Sequence, residues 1–510
     1  MNFSLGEKNL TWEILTSLSS CPNPKMQVSE SSWKRLDDFR IVVDKVINSG
    51  DVVYGINTGF GFLSDVKIER ENLSKLQMNL ILSHACGVGE LASDELVRAL
   101  LILRAHTFLI GHSAVRRKTV ETILEFLKHD ILPVVPMQGS VGASGDLAPL
   151  SHLAMGLIGK GKVKFRGNIV TCAEALKITG VQPLVPEAKE GLSLINGTQF
   201  MTVIAAFVLR DARAILRSAD IISALSLDAI RGTDLAYAES IHEVRLQKGQ
   251  RKVAANLRHI FSKTDDQIRS SHLHCAKVQD PYSFRCIPQV HGASRDAFDY
   301  CEIQVNNELN SVTDNPLVFL DGTIVSGGNF HGQPIAIAMD FLAIAISEIG
   351  SISERRIEKL TNPHMSGLPA FVIADSGLNS GFMIPHVVAA SLASENKILC
   401  HPASVDSIPT SADKEDHVSM GPIAARKAKQ VCQHVMDILS IECLTAAQGI
   451  DLLKPLNLGA ILGEVHRKVR SLSPELTGDR SLYEDIRFVS SWIIDDGPYK
   501  IIIKHCPNFA

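Results

Sequence analysis

The sequence predicts a mainly α-helical bundle with short strands and loops near its N-terminal region. Three observations carry that expectation: apolar residues recur at helical spacing over long stretches, glycine concentrates in two breaks between them, and several long stretches are apolar on more than one face. At 510 residues, 45% hydrophobic and 21% charged, the chain can bury a large core without crosslinks and has the composition of a folded protein.

After a short opening with strand character, Trp33, Leu36, Phe39, Val43 and Val46 share one helical face that stops at Gly50. Residues 52–65 follow with Gly55, Gly59 and Gly61 and no sustained apolar period, which reads as a long loop carrying Tyr54. Leu73, Leu76 and Leu80 mark the next helix, and residues 94–111 another. The second glycine-rich break is 137–161; through Gly145 it is too rich in glycine for a regular element, whereas Asp146 opens a helix with its acidic group at the positive end. Long helices are expected over 196–226, 297–309, 333–360, 385–398, 421–449 and 458–471. The division this suggests is 1–198, with both glycine-rich segments, and 199–510, with the long helices. Helices apolar on several sides are best satisfied against other chains, so an oligomer is expected.

Lys plus Arg number 51 and Asp plus Glu 55, a net charge of −4. No global field exists to collect a phosphate backbone or an anionic bilayer, so nucleic acid and membrane are not expected partners. The apolar run 200–209 ends at Arg210 and Asp211, short of the roughly 20 residues that span a bilayer. Ten scattered cysteines without a CxxC, and an N-terminus lacking a basic start and apolar run, read as reduced thiols in a cytoplasmic protein. Neither GINTGFG nor GVGELAS completes a dinucleotide fingerprint, and no P-loop occurs. His272, His274 and Cys275 are metal-ligand types, but no second cluster stands at zinc-like spacing, so no metal is expected.

The tripeptide Ala143-Ser144-Gly145 carries the most specific chemistry. Its small residues allow close backbone approach. One reading is a tight turn. The other is cyclisation: the Gly145 amide nitrogen attacks the Ala143 carbonyl carbon, one water is lost to close a five-membered ring, and loss of the Ser144 hydroxyl as a second water leaves an exocyclic methylene, a Michael acceptor.

The surrounding segment GSVGASGDLAPLSH resembles the active-site signature of the aromatic amino acid ammonia-lyases. So do YGINTGFG, SHACGVGE, EGLSLINGTQ, QDPYSFRC, SGGNFHG, HPASVDSIPTS and EDHVSMG, which stand in family order between residues 54 and 421. The resemblance implies a long antiparallel helical bundle of the fumarase/aspartase-like superfamily. It also implies the self-made prosthetic group 4-methylideneimidazole-5-one (MIO), formed from Ala143, Ser144 and Gly145 with no external cofactor, and a homotetramer with shared active sites.

Residue by residue, Tyr54 matches the tyrosine that removes the substrate's β-proton, and Asn196 the amide that orients the substrate and the MIO region. Gln279, Tyr282 and Arg285 match residues lining the site, with Tyr282 in the catalytic set and Arg285 suited to clamp an α-carboxylate with its planar fork. Phe330 matches the aromatic packed beside the prosthetic group. Ser83-His84 and Glu415 resemble the pattern of histidine-selective members, and both His84 and Glu415 suit an imidazole better than a phenyl ring. Lys414 departs from the glutamine common in the family; turned inward it would pair with Glu415. The expected reaction is L-histidine to trans-urocanate and ammonia, the opening step of histidine degradation. Alternatives are a tyrosine or phenylalanine ammonia-lyase, a 2,3-aminomutase, or a non-catalytic helical scaffold.

Overall fold

The computed structural model describes residues 2–7, 9–49, 51–59, 66–262, 266–271 and 278–509. His272, His274 and Cys275, and the 60–65 part of the first glycine-rich loop, lie outside the described residues. The fold is a mainly α-helical bundle, dominated by the helices Gln199–Ala229, Ile287–Leu309, Gln333–Thr361 and Gly421–Asp451.

The chain forms two compact units, each of three segments. The first comprises Met1–Phe207, Glu302–Met339 and Pro402–Arg426; the second comprises Val208–Cys301, Asp340–His401 and Lys427–Ala510. The chain first passes from one unit to the other at 207/208 and returns later in the sequence, whereas the sequence reading drew a single division at 198/199. Among the described residues, all named strands lie in the first unit. Leu132–Pro133, Lys162–Phe165 and Asn168–Thr171 make an antiparallel three-stranded sheet, and Val88–Leu91 pairs antiparallel with Pro136–Gln138.

The helices of the first unit start and stop on local signals. Asp94–Ile110 opens at Ser93, whose side chain accepts from Leu96 N, carries Asp94 and Glu95 in its first turn, and ends at Gly111 with φ +114°. Cys172–Thr179 has a capping box from Thr171 and Glu174 and closes on left-handed Gly180. Among the described residues, the opening holds two short strands, Phe3–Ser4 and Met26–Gln27, paired in parallel; between them stands a helix not expected from the sequence, Trp12–Ser19, which forms because Thr11 caps it and Trp12, Leu15 and Ser19 bury one face.

Helix Leu147–Leu157 begins where expected, but Asp146 does not act as an acidic cap. It makes no side-chain cap bond; its Oδ2 accepts from Met201 N at 3.0 Å, and burial pushes its carboxyl up to about 8. A group neutral at pH 7 gains nothing from the helix dipole. The apolar content of Gln333–Thr361 also exceeds what the 200–209 run suggested. By length and composition this 29-residue helix would cross a membrane, with a window of mean hydropathy 1.9, yet 61% of that window is buried inside the protein.

Buried apolar clusters hold these elements. In the first unit Phe39, Val42 and Val43 of helix Glu30–Ser49 pack with Ile56, Leu73 and Val318, which ties the Tyr54 loop to the helical framework. In the second, residues of several helices, among them Leu225, Leu257, Ala446, Val465 and Ile502, form one cluster.

Candidate active site

Within the first unit a cavity of about 800 Å³ is lined by Tyr54, His84, Ala143, Ser144, Asn196, Phe330 and Glu415, seven residues singled out in the sequence, together with Lys414. They come from six separate stretches of chain, and each is delivered by a distinct local device.

The 142–145 segment is a compressed turn. Gly142, Ser144 and Gly145 have φ of +83°, +49° and +81°. The Gly145 amide donates to Gly142 O at 3.3 Å, and Gly197 N donates to Ser144 O at the same distance. A Cβ built on Gly145 would lie 2.1 Å from the carbonyl oxygen of Gly197. Backbone cannot move out of the way, so only glycine fits at 145. The buried Gly145 itself is not among the cavity-lining residues. The Ser144 hydroxyl donates to Glu415 Oε1 at 2.9 Å.

Glu415 is returned to this point by a loop in which Ser411, Ala412 and Asp413 all adopt left-handed backbone, φ +54°, +52° and +64°. Three non-glycine residues in succession in that region cost energy that the surroundings must supply. The loop closes by a two-way backbone pairing of Thr410 with Glu415 at 3.0 and 3.3 Å, and Thr410 Oγ1 donates to Glu415 Oε2 at 2.8 Å. Lys414 lines the cavity, but among the described residues no ion pair joins it to Glu415.

Asn196 ends the short helix Glu190–Ile195 and is almost completely buried. Its Nδ2 donates to Asn315 O at 3.0 Å and reaches Asp314 Oδ1 at 3.4 Å. Both neighbours are acceptors, so the amide orientation is determined, and Oδ1 is left with no protein partner among the described residues. Behind it, Lys189 Nζ donates to Asp314 Oδ2 and Ser193 Oγ, each at 2.9 Å, and Arg104 donates to Asn196 O at 3.1 Å. Burial lowers Arg104 to about 10, which still leaves a cation at neutral pH. Lys189, Asp314, Asn315 and Arg104 were not anticipated from the sequence. An isolated Lys or Arg in a helical pattern reads as surface, and only the tertiary contacts reveal the buried charges.

His84 sits at the end of helix Leu73–His84 with Nδ1 2.8 Å from Leu80 O. A carbonyl only accepts, so in the neutral ring Nδ1 carries the proton and Nε2 is an acceptor. Ser83 is exposed and does not line the cavity; its hydroxyl donates to Leu80 O at 3.1 Å and lies 2.9 Å from His84 Nδ1. Phe330 is half-buried on the cavity wall, beside His331, whose ring stacks on His417 at 5.6 Å.

Gln279, Tyr282 and Arg285 belong to the second unit, and none of them lines this cavity. Gln279 is exposed and Tyr282 is 73% exposed. Arg285 donates through Nε to Asp280 O at 2.8 Å, and its guanidinium lies 4.7 Å from the centre of the Tyr282 ring.

Over residues 10–471 the chain matches the family model for aromatic amino acid lyase. It is 50% identical over 457 residues to histidine ammonia-lyase of Sorangium cellulosum, covering 88% of each chain. It is 48% identical over 463 residues to histidine ammonia-lyase of Alkaliphilus oremlandii, covering 91% of each. The crystal structure of histidine ammonia-lyase from Trypanosoma cruzi aligns with a TM-score of 0.92 at 43% identity, over 100% of this chain and 96% of that one. Tyrosine aminomutase from Streptomyces globisporus aligns with a TM-score of 0.92 at 35% identity, over 99% of each chain. A match of this length, joined to a cavity that gathers the motif residues, establishes that the chain belongs to the aromatic amino acid lyase family.

Proposed function

We propose that the protein is a histidine ammonia-lyase that converts L-histidine to trans-urocanate and ammonia. The observation that carries this reading is the presence of His84 and Glu415 in the same cavity as Tyr54 and the Ala143-Ser144-Gly145 turn. A carboxylate and an imidazole can both hydrogen-bond the ring nitrogens of a substrate imidazole, whereas a phenyl ring offers neither a partner.

The residues present fit MIO, the prosthetic group typical of this family. The 143–145 backbone is already turned sharply, the Gly145 position admits no side chain, and Asn196 Oδ1 is a buried acceptor with no protein partner. Ala143, Ser144 and Gly145 would form the group, and Phe330 and Asn196 would flank it. When formed, MIO supplies the electrophile that makes the departing nitrogen a better leaving group. Tyr54 takes the β-proton, the step made hard by that proton's low acidity. Asn196, held by Asp314 and Asn315, orients the substrate, and His84 with Glu415 selects the ring.

Gln279, Tyr282 and Arg285 complete the site from a neighbouring subunit of a homotetramer. The exposure of the Tyr282 ring supports this, because a surface aromatic of that size gains most when a partner covers it. Arg285 then clamps the substrate α-carboxylate. The ten cysteines scattered without a CxxC support a cytoplasmic location for the enzyme.

The likeness to tyrosine aminomutase keeps one second reading open to test, amine transfer within tyrosine. The deciding experiment is turnover of histidine, tyrosine and phenylalanine with product identification. Urocanate and ammonia from histidine, with little turnover of the other two, is the expected result; a β-amino acid from tyrosine would overturn it.

A further inference from the structure

Before any water is lost, Ser144 still carries its hydroxyl, and the structure gives that hydroxyl a specific neighbour. Ser144 Oγ lies 2.9 Å from Glu415 Oε1, across 271 residues of chain. The carboxyl is braced for this contact: Oε2 is held by Thr410 Oγ1 at 2.8 Å, and the backbone of Thr410 pairs with Glu415 in both directions. One carboxyl oxygen is anchored, and the other rests against the atom that must leave. Ring recognition does not account for this arrangement, because Oε1 remains occupied as long as Ser144 keeps its hydroxyl.

Resting on the reading of 143–145 as the MIO precursor, we infer that Glu415 delivers the proton with which the Ser144 oxygen departs, and that this departure frees Oε1 to receive the substrate ring. In the step, the Ser144 Cα–H bond breaks and its electron pair becomes the Cα=Cβ bond. Glu415 is first protonated from solvent, which reverses its hydrogen bond with Ser144; the Cβ–Oγ bond then breaks, and the oxygen takes that proton and leaves as water. The Cα proton passes to solvent and replaces the one that Glu415 took up, so the net change is loss of one water. Hydroxide is a poor leaving group, and a positioned proton donor accelerates such a step by roughly 10²- to 10⁴-fold. Self-processing thereby unmasks the recognition atom: a chain that has not lost the Ser144 hydroxyl lacks both the electrophile and the open carboxyl oxygen.

The test is intact mass followed in time after cell-free synthesis of the full chain. The parent should fall by two waters. Glu415→Gln keeps a hydrogen bond to Ser144 but has no acidic proton, and should lose the first water at the parental rate and the second roughly 10²- to 10⁴-fold more slowly, with a matching delay in the near-ultraviolet absorbance of the conjugated methylidene group. Glu415→Ala should recover the second loss in proportion to added formate, and this arm carries the test if the glutamine variant does not fold. Loss of the second water at the parental rate in the glutamine variant, or independently of formate in the alanine variant, overturns the proposal. It leaves the substrate assignment standing, since that is read separately from substrate preference. A parent that loses no water overturns both.

Discussion

Glu442 in the second unit and Glu415 in the first are both carboxylates held inside the fold, and they are treated in opposite ways. Both oxygens of Glu442 are saturated. Arg356 donates from Nε at 2.6 Å and Nη2 at 2.8 Å, and Ser226 and Ser353 donate at 2.6 Å each, all within completely buried surroundings. That pair closes on itself between long helices and has nothing left to offer a ligand. At the cavity, Glu415 is braced through Oε2 by Thr410 and meets the removable hydroxyl of Ser144 through Oε1, Asn196 Oδ1 has no partner among the described residues, and left-handed turns carry the key groups. Glu442 is fully paired, as an unpaired buried charge costs several kcal/mol. Near the site the same cost is accepted, and the open valences are what a substrate or prosthetic group can use.

If this contrast holds, substitutions in the cavity should damage chemistry at little cost in stability, and substitutions in the scaffold the reverse. The largest effect is expected for Ser144→Ala. It removes the only oxygen whose loss creates a methylene, so turnover should vanish and the second water loss should be absent from the intact mass, while the thermal midpoint stays near the parent's. Activity in a chain of that mass would break the assignment of the turn.

Tyr54→Phe comes next. A positioned base supplies roughly 10²- to 10⁴-fold, so kcat on histidine should fall on that order with the intact mass unchanged. Near-parental kcat would move the base elsewhere. In the second unit, Arg356→Met strands Glu442 and should cost about 3 to 5 kcal/mol in denaturant unfolding, while whatever protein remains folded keeps its preference among substrates. A change in preference without a stability loss would contradict the separation of roles.

A smaller, more specific effect is expected for His84→Leu. Loss of a polar partner for the substrate imidazole is worth about 1 to 3 kcal/mol, or roughly 5- to 150-fold in the ratio of kcat/KM for histidine over phenylalanine. An unchanged ratio would remove His84 from ring recognition.

The smallest effect concerns Asp146, whose carboxyl is raised to about 8, chiefly by burial. The unfolded chain releases this proton near pH 4, so between pH 4 and 8 the native state holds a proton that the unfolded state lacks. Stability should therefore fall as pH rises through that window, by at most about 1.4 kcal/mol per pH unit from this one group. Asp146→Asn should flatten the slope of the urea midpoint between pH 7 and 8. An unchanged slope would mean that Asp146 is ionised in the native protein.

Much of this architecture follows from local sequence. Helices such as Leu73–His84 and Gly421–Asp451 emerge because spacing of apolar residues sets which face is buried, and caps such as Ser93 set where a helix starts, within a few residues of chain. The 142–145 turn is legible for the same reason, since Gly145 is needed where backbone meets backbone. Tertiary structure alone decided the rest. Whether Asp146 is charged depends on desolvation by residues distant in sequence. The orientation of Asn196 depends on two acceptors more than a hundred positions away. Ser83 turns back on its own helix while the adjacent His84 reaches the cavity, and Tyr282 and Arg285 share a motif with the family site yet lie in the other unit of their own chain. Periodicity and turn chemistry act between neighbours in sequence and can be read there; dielectric surroundings and hydrogen-bond partners are properties of neighbours in space.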